Sequence, residues 1–216
     1  MKYNQYGRSM IEMLGVLAII AVLSVGGIAG YSKAMEKFRV NKLLEEYTML
    51  LYGLLGNLNE LKNKSTVDGG DNKVGLIDYV KATSLVPETW KKVNDTRMTD
   101  SQGNVILLFS RINRLVMDIY IGGVVDEKTG GMTYSTGYNA TVCQELMQNF
   151  ARPLHGEVQF VRFYRWTDGD YAHLYYGDKY CAKGKKCLRD MIVTEISDLC
   201  KLCEGDREAC CINIEF

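Results

Sequence analysis

The sequence lacks an excess of charge of either sign: 26 Lys+Arg face 26 Asp+Glu over 216 residues. With no overall basic field, nothing argues for nucleic acid as a partner. Histidine is scarce, with only His155 and His173. Neither stands beside a nucleophile or carboxylate in a familiar catalytic motif, and no His/Cys spacing of the zinc-finger type occurs. A phosphate-binding glycine loop is also absent. These absences leave no catalytic constellation, so no enzyme activity, cofactor or metal is expected. A further absence is local. Residues 13–31 carry no charged side chain, whereas Lys and Glu recur from Lys33 onward.

The uncharged stretch belongs to the opening segment MKYNQYGRSMIEMLGVLAIIAVLSVGGIAGY. From Met13 to Tyr31 only Ser24 interrupts the apolar run, which as a helix spans about 28 Å, close to a bilayer core. Lys2 and Arg8 precede it, so the charge bias keeps the N-terminus cytoplasmic and translocates the rest. A secretory signal peptide cut near Ile28-Ala29-Gly30 and a plain single-pass anchor both fit the run. Neither has a use for Glu12. A carboxylate at mid-membrane costs about 2.5–3.5 kcal/mol on insertion scales, and such residues mark function.

Seven cysteines are present, six of them between Cys181 and Cys211. Such crowding suits an oxidising compartment, and an odd count leaves at least one thiol free or paired between chains. The candidates are Cys143, Cys181, Cys187, Cys200, Cys203, Cys210 and Cys211. The six C-terminal ones alone allow 15 full pairings, so connectivity stays open. Four of them (Cys181, Cys187, Cys200 and Cys203) match the ligand count of a thiolate zinc site. The pair Cys200/Cys203 has the spacing of a redox motif. That motif needs its first cysteine at a helix N-terminus, however, and here the pair falls late in a helical pattern. Disulfides are the favoured reading.

Beyond Tyr31, apolar residues at Met35, Phe38, Leu43, Leu44, Tyr47, Leu50, Leu51, Leu54, Leu55, Leu58 and Leu61 keep a three-and-four spacing. The pattern predicts one helix from about Met10 to about Lys62, apolar all round in its first half and amphipathic in its second. A Gly-rich loop follows at 63–73, then a short helix over 76–83 that ends before Pro87. Strands are predicted at 104–109 and 114–121. A helix over 141–150 can be capped by Asn139. The segment Glu157–Trp166 alternates, turns at Asp168-Gly169 and returns as Tyr171–Tyr176, a hairpin. A helix over 194–203 and a terminal strand CCINIEF close the chain. The resulting class is α+β: a long N-terminal helix on an antiparallel sheet with inserted helices and a disulfide-rich C-terminus.

The run Gly7-Arg8-Ser9-Met10-Ile11-Glu12-Met13-Leu14-Gly15-Val16-Leu17-Ala18-Ile19-Ile20 resembles the prepilin N-terminal signature of type IV pilins and pilin-like proteins. In that family a Gly precedes the processing cut and a Glu stands fifth after it; counted from Arg8, Glu12 is fifth. Arg8 itself departs from the Phe or other apolar residue usual there. The resemblance implies cleavage between Gly7 and Arg8 by a prepilin peptidase and methylation of the new amine. It implies four segments: a leader at 1–7, a transmembrane and filament-core helix at 8–31, the amphipathic half at 32–62, and a globular domain at 63–216. The Glu12 carboxylate would neutralise the N-terminal amine of a neighbouring subunit in the apolar filament core. Implied partners are the peptidase, copies of this chain and other pilins, the inner-membrane assembly machinery and membrane lipid. The implied location is the bacterial inner membrane and then a surface filament. Weaker similarity to type IVb and conjugative-type pilins lies in Leu85-Val86-Pro87, 100–107 and 139–146, and pilins commonly tie the C-terminal region to the sheet, which here would join Cys143 to Cys210 or Cys211. A type II secretion pseudopilin shares the whole N-terminal signature. A membrane-tethered binding or sensor protein is the alternative of another class, with Tyr164, Trp166, Tyr171, Tyr175 and Tyr176 as its recognition surface.

Overall fold

The computed structural model describes residues 6–65, 73–126, 128–133, 137–165, 172–205 and 209–216, with side chains from Met13 onward. Helix α1 runs Tyr6–Gly56 and α2 runs Leu58–Lys62. The predicted single helix to Lys62 is therefore interrupted at Asn57. The Asn57 side-chain amide donates to the Gly53 carbonyl at 3.3 Å, the acceptor its own backbone N–H would have used. That N–H turns instead to Leu54 at 3.2 Å, which tightens and ends the turn beside Gly56.

The chain forms two compact units, Met1–Lys42 and Leu43–Phe216. In the second, the opening helical turns bury Leu43, Tyr47, Leu50, Leu51 and Leu54, while Met49 and Tyr52 on the other side are 51% and 72% exposed. This is the amphipathic stripe that the spacing predicts. Short helix α3 spans Ile77–Ala82, within the predicted 76–83.

Ten strands follow in chain order: β1 Val74–Gly75, β2 Lys91–Lys92, β3 Arg97–Thr99, β4 Val105–Arg111, β5 Arg114–Ile121, β6 Val124–Val125, β7 Met132–Thr133, β8 Phe160–Arg165, β9 His173–Tyr176 and β10 Cys210–Glu215. Eight form one sheet in the order β2-β3-β4-β5-β10-β8-β9, with β1 also on β4; β6 and β7 pair separately. All printed ladders are antiparallel, and the last strand lies between β5 and β8. The β4–β5 connection is a two-residue turn with Ile112 and Asn113 at φ 51° and 56°, the left-handed geometry that suits the twist of a hairpin. The β8–β9 hairpin is present with Phe160 opposite Tyr176; its predicted turn, together with Trp166 and Tyr171, lies outside the described residues.

The predicted helix at 141–150 takes a different form. α4 covers Ala140–Glu145, a π-helical turn follows at Leu146–Ala151, and a 3-10 turn spans Arg152–Gly156. Asn139 caps α4 as predicted, its side-chain oxygen accepting from Thr141 N at 2.9 Å and Val142 N at 3.2 Å. Widening the next turn keeps Leu146, Met147, Phe150 and Ala151 all buried, which a regular α-turn over the same stretch does not arrange as one face. α5 spans Val193–Lys201 and buries Ile196, Leu199 and Cys200.

Residues of β10 alternate across the sheet. Ile212 and Ile214 join Met117, Ile119, Val161 and Phe163 on the inner face, all fully buried. On this face Ser110 donates to the Lys62 carbonyl at the end of α2, 2.8 Å. Cys211, Asn213 and Glu215 point to the outer face.

Tyr47 lies at the centre of the inner packing, with ring centroids 5.2 Å from Trp90 and 5.5 Å from Phe150. We expect Tyr47→Ala to destabilise the folded domain by about 3–5 kcal/mol, the cost of emptying a buried aromatic site. Tyr52→Ala, one turn on and facing outward, should change stability by no more than about 0.5 kcal/mol. Denaturant titration of the two variants checks the assignment of the buried face.

Candidate functional site

The first candidate site is the N-terminal helix. Gly7, Arg8 and Glu12 fall on the helical backbone of α1; their side chains, and all of residues 1–5, lie outside what the structure describes. From Met13 to Tyr31 the described large apolar side chains are exposed on every side, between 52% for Ile20 and 69% for Leu23 and Val25. One helix near the N-terminus is long and apolar enough to cross a membrane. An all-round apolar surface of this size is suited to lipid or to other helices, and unsuited to water. Ser24 does not break that character, because its hydroxyl donates to the Ile20 carbonyl at 2.7 Å.

Beyond this stretch, the amphipathic part of α1 is tied down by polar bonds. Glu46, 8% exposed, accepts from Trp90 Nε1 at 2.9 Å and Ser101 Oγ at 2.6 Å. The neighbouring Tyr47 hydroxyl donates to Asp100 Oδ2 at 3.0 Å. Asp100 also accepts from the backbone N–H groups of Gln102 and Asn104, each 2.8 Å, and from the Asn104 amide at 2.7 Å. Burial pushes the Asp100 carboxyl above its usual range, and these bonds pull it back. Two adjacent helix residues thus reach two adjacent loop residues, which fixes both rotation and height of the helix on its support. The sequence signal for this lock is weak: a Glu-Tyr pair inside an amphipathic stripe and an Asp-Ser pair 54 residues on.

The cysteines form three bridges, Cys143–Cys200, Cys181–Cys187 and Cys203–Cys210, with Cα separations of 5.8, 5.5 and 5.9 Å. Cys211 is a buried free thiol. The pairing of Cys143 with Cys210 or Cys211 is therefore corrected. Cys143 on α4 faces Cys200 on α5, whereas Cys210 is taken by Cys203 just beyond α5. Cys211 points to the opposite face of the sheet because adjacent strand residues must. The same pairings replace the zinc and redox readings, since Cys200 and Cys203 bond to different partners. In the chain-entropy picture, the 57-residue span closed by Cys143–Cys200 contributes about 4 kcal/mol and each short loop about 2 kcal/mol.

On the outer face, Cys211 packs with Val105 and Tyr120, flanked by Leu107, Val125, Met132 and Tyr164. The Tyr120 and Tyr164 hydroxyls sit 2.9 Å apart above it. Burial, with Asp118 nearby, pushes the thiol well above its ordinary range. Along the same face, the Asn213 amide donates to buried Asp118 at 2.6 Å. Glu215, 2% exposed at its side chain, is held by Arg111 at 2.7 Å and Arg114 at 3.0 Å.

The two histidines do gain neighbours in the fold. His155 Nδ1 lies 2.8 Å from Asp178 Oδ2. His173 lines a cleft of about 400 Å³ with Tyr175, Lys186, Thr194, Glu195, Asp198, Leu199 and Leu202. There Glu195 accepts from Tyr175 at 2.9 Å and Lys186 at 2.8 Å, and burial followed by the Lys186 charge lowers the His173 pKa. Among the described residues no group of three or more His, Cys, Asp or Glu side chains could hold a metal ion. Of the aromatics assigned to a recognition surface, Tyr175 is buried at 1% exposure with its hydroxyl engaged, and Tyr164 and Tyr176 are half-buried.

Comparison with protein-family models, with curated proteins and with solved structures finds no match.

Two outcomes are expected. Alkylation of the oxidised protein should modify no cysteine when folded, one in denaturant, and seven after denaturation and reduction, as read by intact mass; the single early adduct should map to Cys211. The second concerns pH. Burial raises the Asp118 carboxyl in the folded state. The folded chain therefore binds this proton more tightly than the unfolded chain, and the stability it contributes is fully present below about pH 4 and is lost as pH rises through the raised value. Asp118→Asn should flatten that fall, seen as a smaller loss of Tm between acid and neutral pH than in the wild type.

Proposed function

We propose that this chain is a structural subunit of a type IV pilus or pilus-like filament, processed by a prepilin peptidase and assembled through its N-terminal helix. The observation that carries the reading is the unbroken course of α1 from Tyr6 to Gly56. An apolar run that continues without a break into a helix whose later residues build the domain core is a retained element. A cleaved signal peptide has no reason to share a helix with the core. The prepilin-like signature Gly7 to Ile20 immediately before and within that run supports the same reading, with Glu12 fifth after Gly7. Three disulfides in a domain beyond the apolar helix suit translocation into an oxidising compartment.

In this role the first part of α1 serves two apolar environments in turn, the bilayer and then the helix-packed filament interior. Glu12 is the group that distinguishes assembly from anchoring. Cleavage after Gly7 exposes a cationic amine, and a neighbour's Glu12 neutralises it where neither charge is tolerated alone.

The test is Glu12→Ala, with intact mass of membrane-extracted protein and sheared surface filaments as readouts. Wild-type protein should begin at Arg8 and enter filaments. The variant should insert in the membrane as well or better, since the cost of a buried carboxylate is gone, yet fail to assemble. A mature start at Met1 or near Gly30 overturns the processing. Normal incorporation of the variant overturns the role of Glu12, and chains never found outside the membrane favour a tethered sensor.

A further inference from the structure

The β2–β3 and β6–β7 hairpins enclose a cleft of about 700 Å³, within the range of small-molecule sites. Lys91, Lys92, Asn94 and Thr99 line it from one hairpin and Asp126 and Lys128 from the other. Its polar groups are unevenly engaged. Lys92 reaches Asp78 at 2.5 Å. The carboxylate of Asp126 is occupied by its own turn, accepting from the backbone N–H groups of Lys128 at 2.8 Å and Thr129 at 3.0 Å. These bonds hold its pKa below the ordinary value. The Asn94 side-chain oxygen is likewise occupied, by Thr96 N at 3.0 Å and Thr96 Oγ1 at 3.1 Å.

The groups left without protein partners are donors: the ammonium ions of Lys91 and Lys128, the Asn94 amide and the Thr99 hydroxyl. Arg97 stands behind them, donating through Nη1 to the Gly130 carbonyl. Its buried Nε has no hydrogen-bond partner, and no carboxylate pairs with it among the described residues. Lysines on an edge strand discourage strand pairing with other chains, which accounts for Lys91 and Lys92. That purpose gives no reason for Lys128 to face them from the second hairpin. In a chain with zero net charge, the cations here have been gathered away from their counter-charges.

We propose that this cleft binds a phosphate-bearing ligand of sugar-phosphate size, with phosphate oxygens accepting from Lys91, Lys128 and Asn94. The Thr99 hydroxyl and the apolar wall of Val93, Val124 and Val125 hold the neutral remainder. The role is independent of Gly7 processing and of filament assembly.

The probes are inorganic pyrophosphate and glucose 6-phosphate, titrated calorimetrically into the full chain in a neutral detergent at low ionic strength, where screening is weak. Both should bind saturably at one site. Lys91→Ala/Lys128→Ala should weaken both by about tenfold or more, while Lys179→Ala/Lys183→Ala removes the same charge outside the cleft and should leave affinity nearly unchanged. Absence of saturable binding overturns the site. Equal weakening by both double variants also overturns it, because net charge alone would then explain the affinity. Glu127 lies outside the described residues, so Glu127→Gln is a further arm: equal or tighter binding supports the proposal, and a marked loss overturns it. Glucose 6-phosphate binding no better than pyrophosphate assigns the recognition to the phosphate alone.

Discussion

The position of β10 governs the rest of the folded domain. Its six residues are all buried, and they supply the full ladder to β5 on one side and to β8 on the other. Without it the sheet would be two separate pieces, β2-β3-β4-β5 and β8-β9, each with an open central edge. The strand also sets the order of the helices. Cys210 on its inner face is bridged to Cys203 after α5, and Cys200 within α5 is bridged to Cys143 on α4. One strand therefore locates two helices through two covalent links. Its outer face is closed by charge: Glu215 is clamped by two arginines and Asn213 satisfies one oxygen of Asp118. Such pairs add little net stability when exposed, yet losing one partner of a buried pair is expensive, so they act mainly to hold register.

A second constraint falls on α1. Its apolar run must be stable where no water can satisfy a polar group, which favours a helix with all backbone bonds internal. The part that follows meets the sheet of a water-soluble domain, where burial of one stripe is enough. The change comes where Leu43 begins the buried stripe, and the Glu46–Trp90 and Tyr47–Asp100 bonds lie within the next turn. Hydrophobic packing alone would let a helix rotate or slide on a surface of similar side chains. Directional bonds from two adjacent residues remove that freedom, which is what a subunit needs if its apolar end is to be presented in one orientation.

The outer face of the sheet presents different chemistry from the inner one. Its buried acids, Asp118 and Glu215, are partnered, while Arg111, Arg114 and Arg162 remain half-exposed over them. Toward the β2–β3 edge the same polarity continues into the lysine-lined cleft. A neutral total charge thus conceals a strong local separation, since composition counts charges without regard to which of them meet.

Local periodicity sufficed for those features that depend on near neighbours in the chain. The membrane-length run from Met13 to Tyr31, the buried stripe of Leu43, Tyr47, Leu50 and Leu54, the alternating strands β4, β5 and β8, and the Asn139 cap were all legible, because each is set within one or two turns of chain. The prepilin-like signature around Gly7 and Glu12 is legible in the same way, as a linear pattern. Strands of two or three residues such as β1, β2, β3, β6 and β7 hold too few positions for a period to show. Asn57 ended the helix through a side-chain bond that propensity does not foresee. The sequence by itself established that cysteines are crowded and odd in number; only the tertiary structure decided which meet. Cys210 and Cys211 are adjacent in sequence, yet strand alternation sends one to a disulfide on the inner face and the other to a buried pocket on the outer face. That outcome, like the lock of Tyr47 on Asp100 and the gathering of Lys91 with Lys128, depends on elements far apart in the chain being packed face to face, and no local pattern encodes that distance.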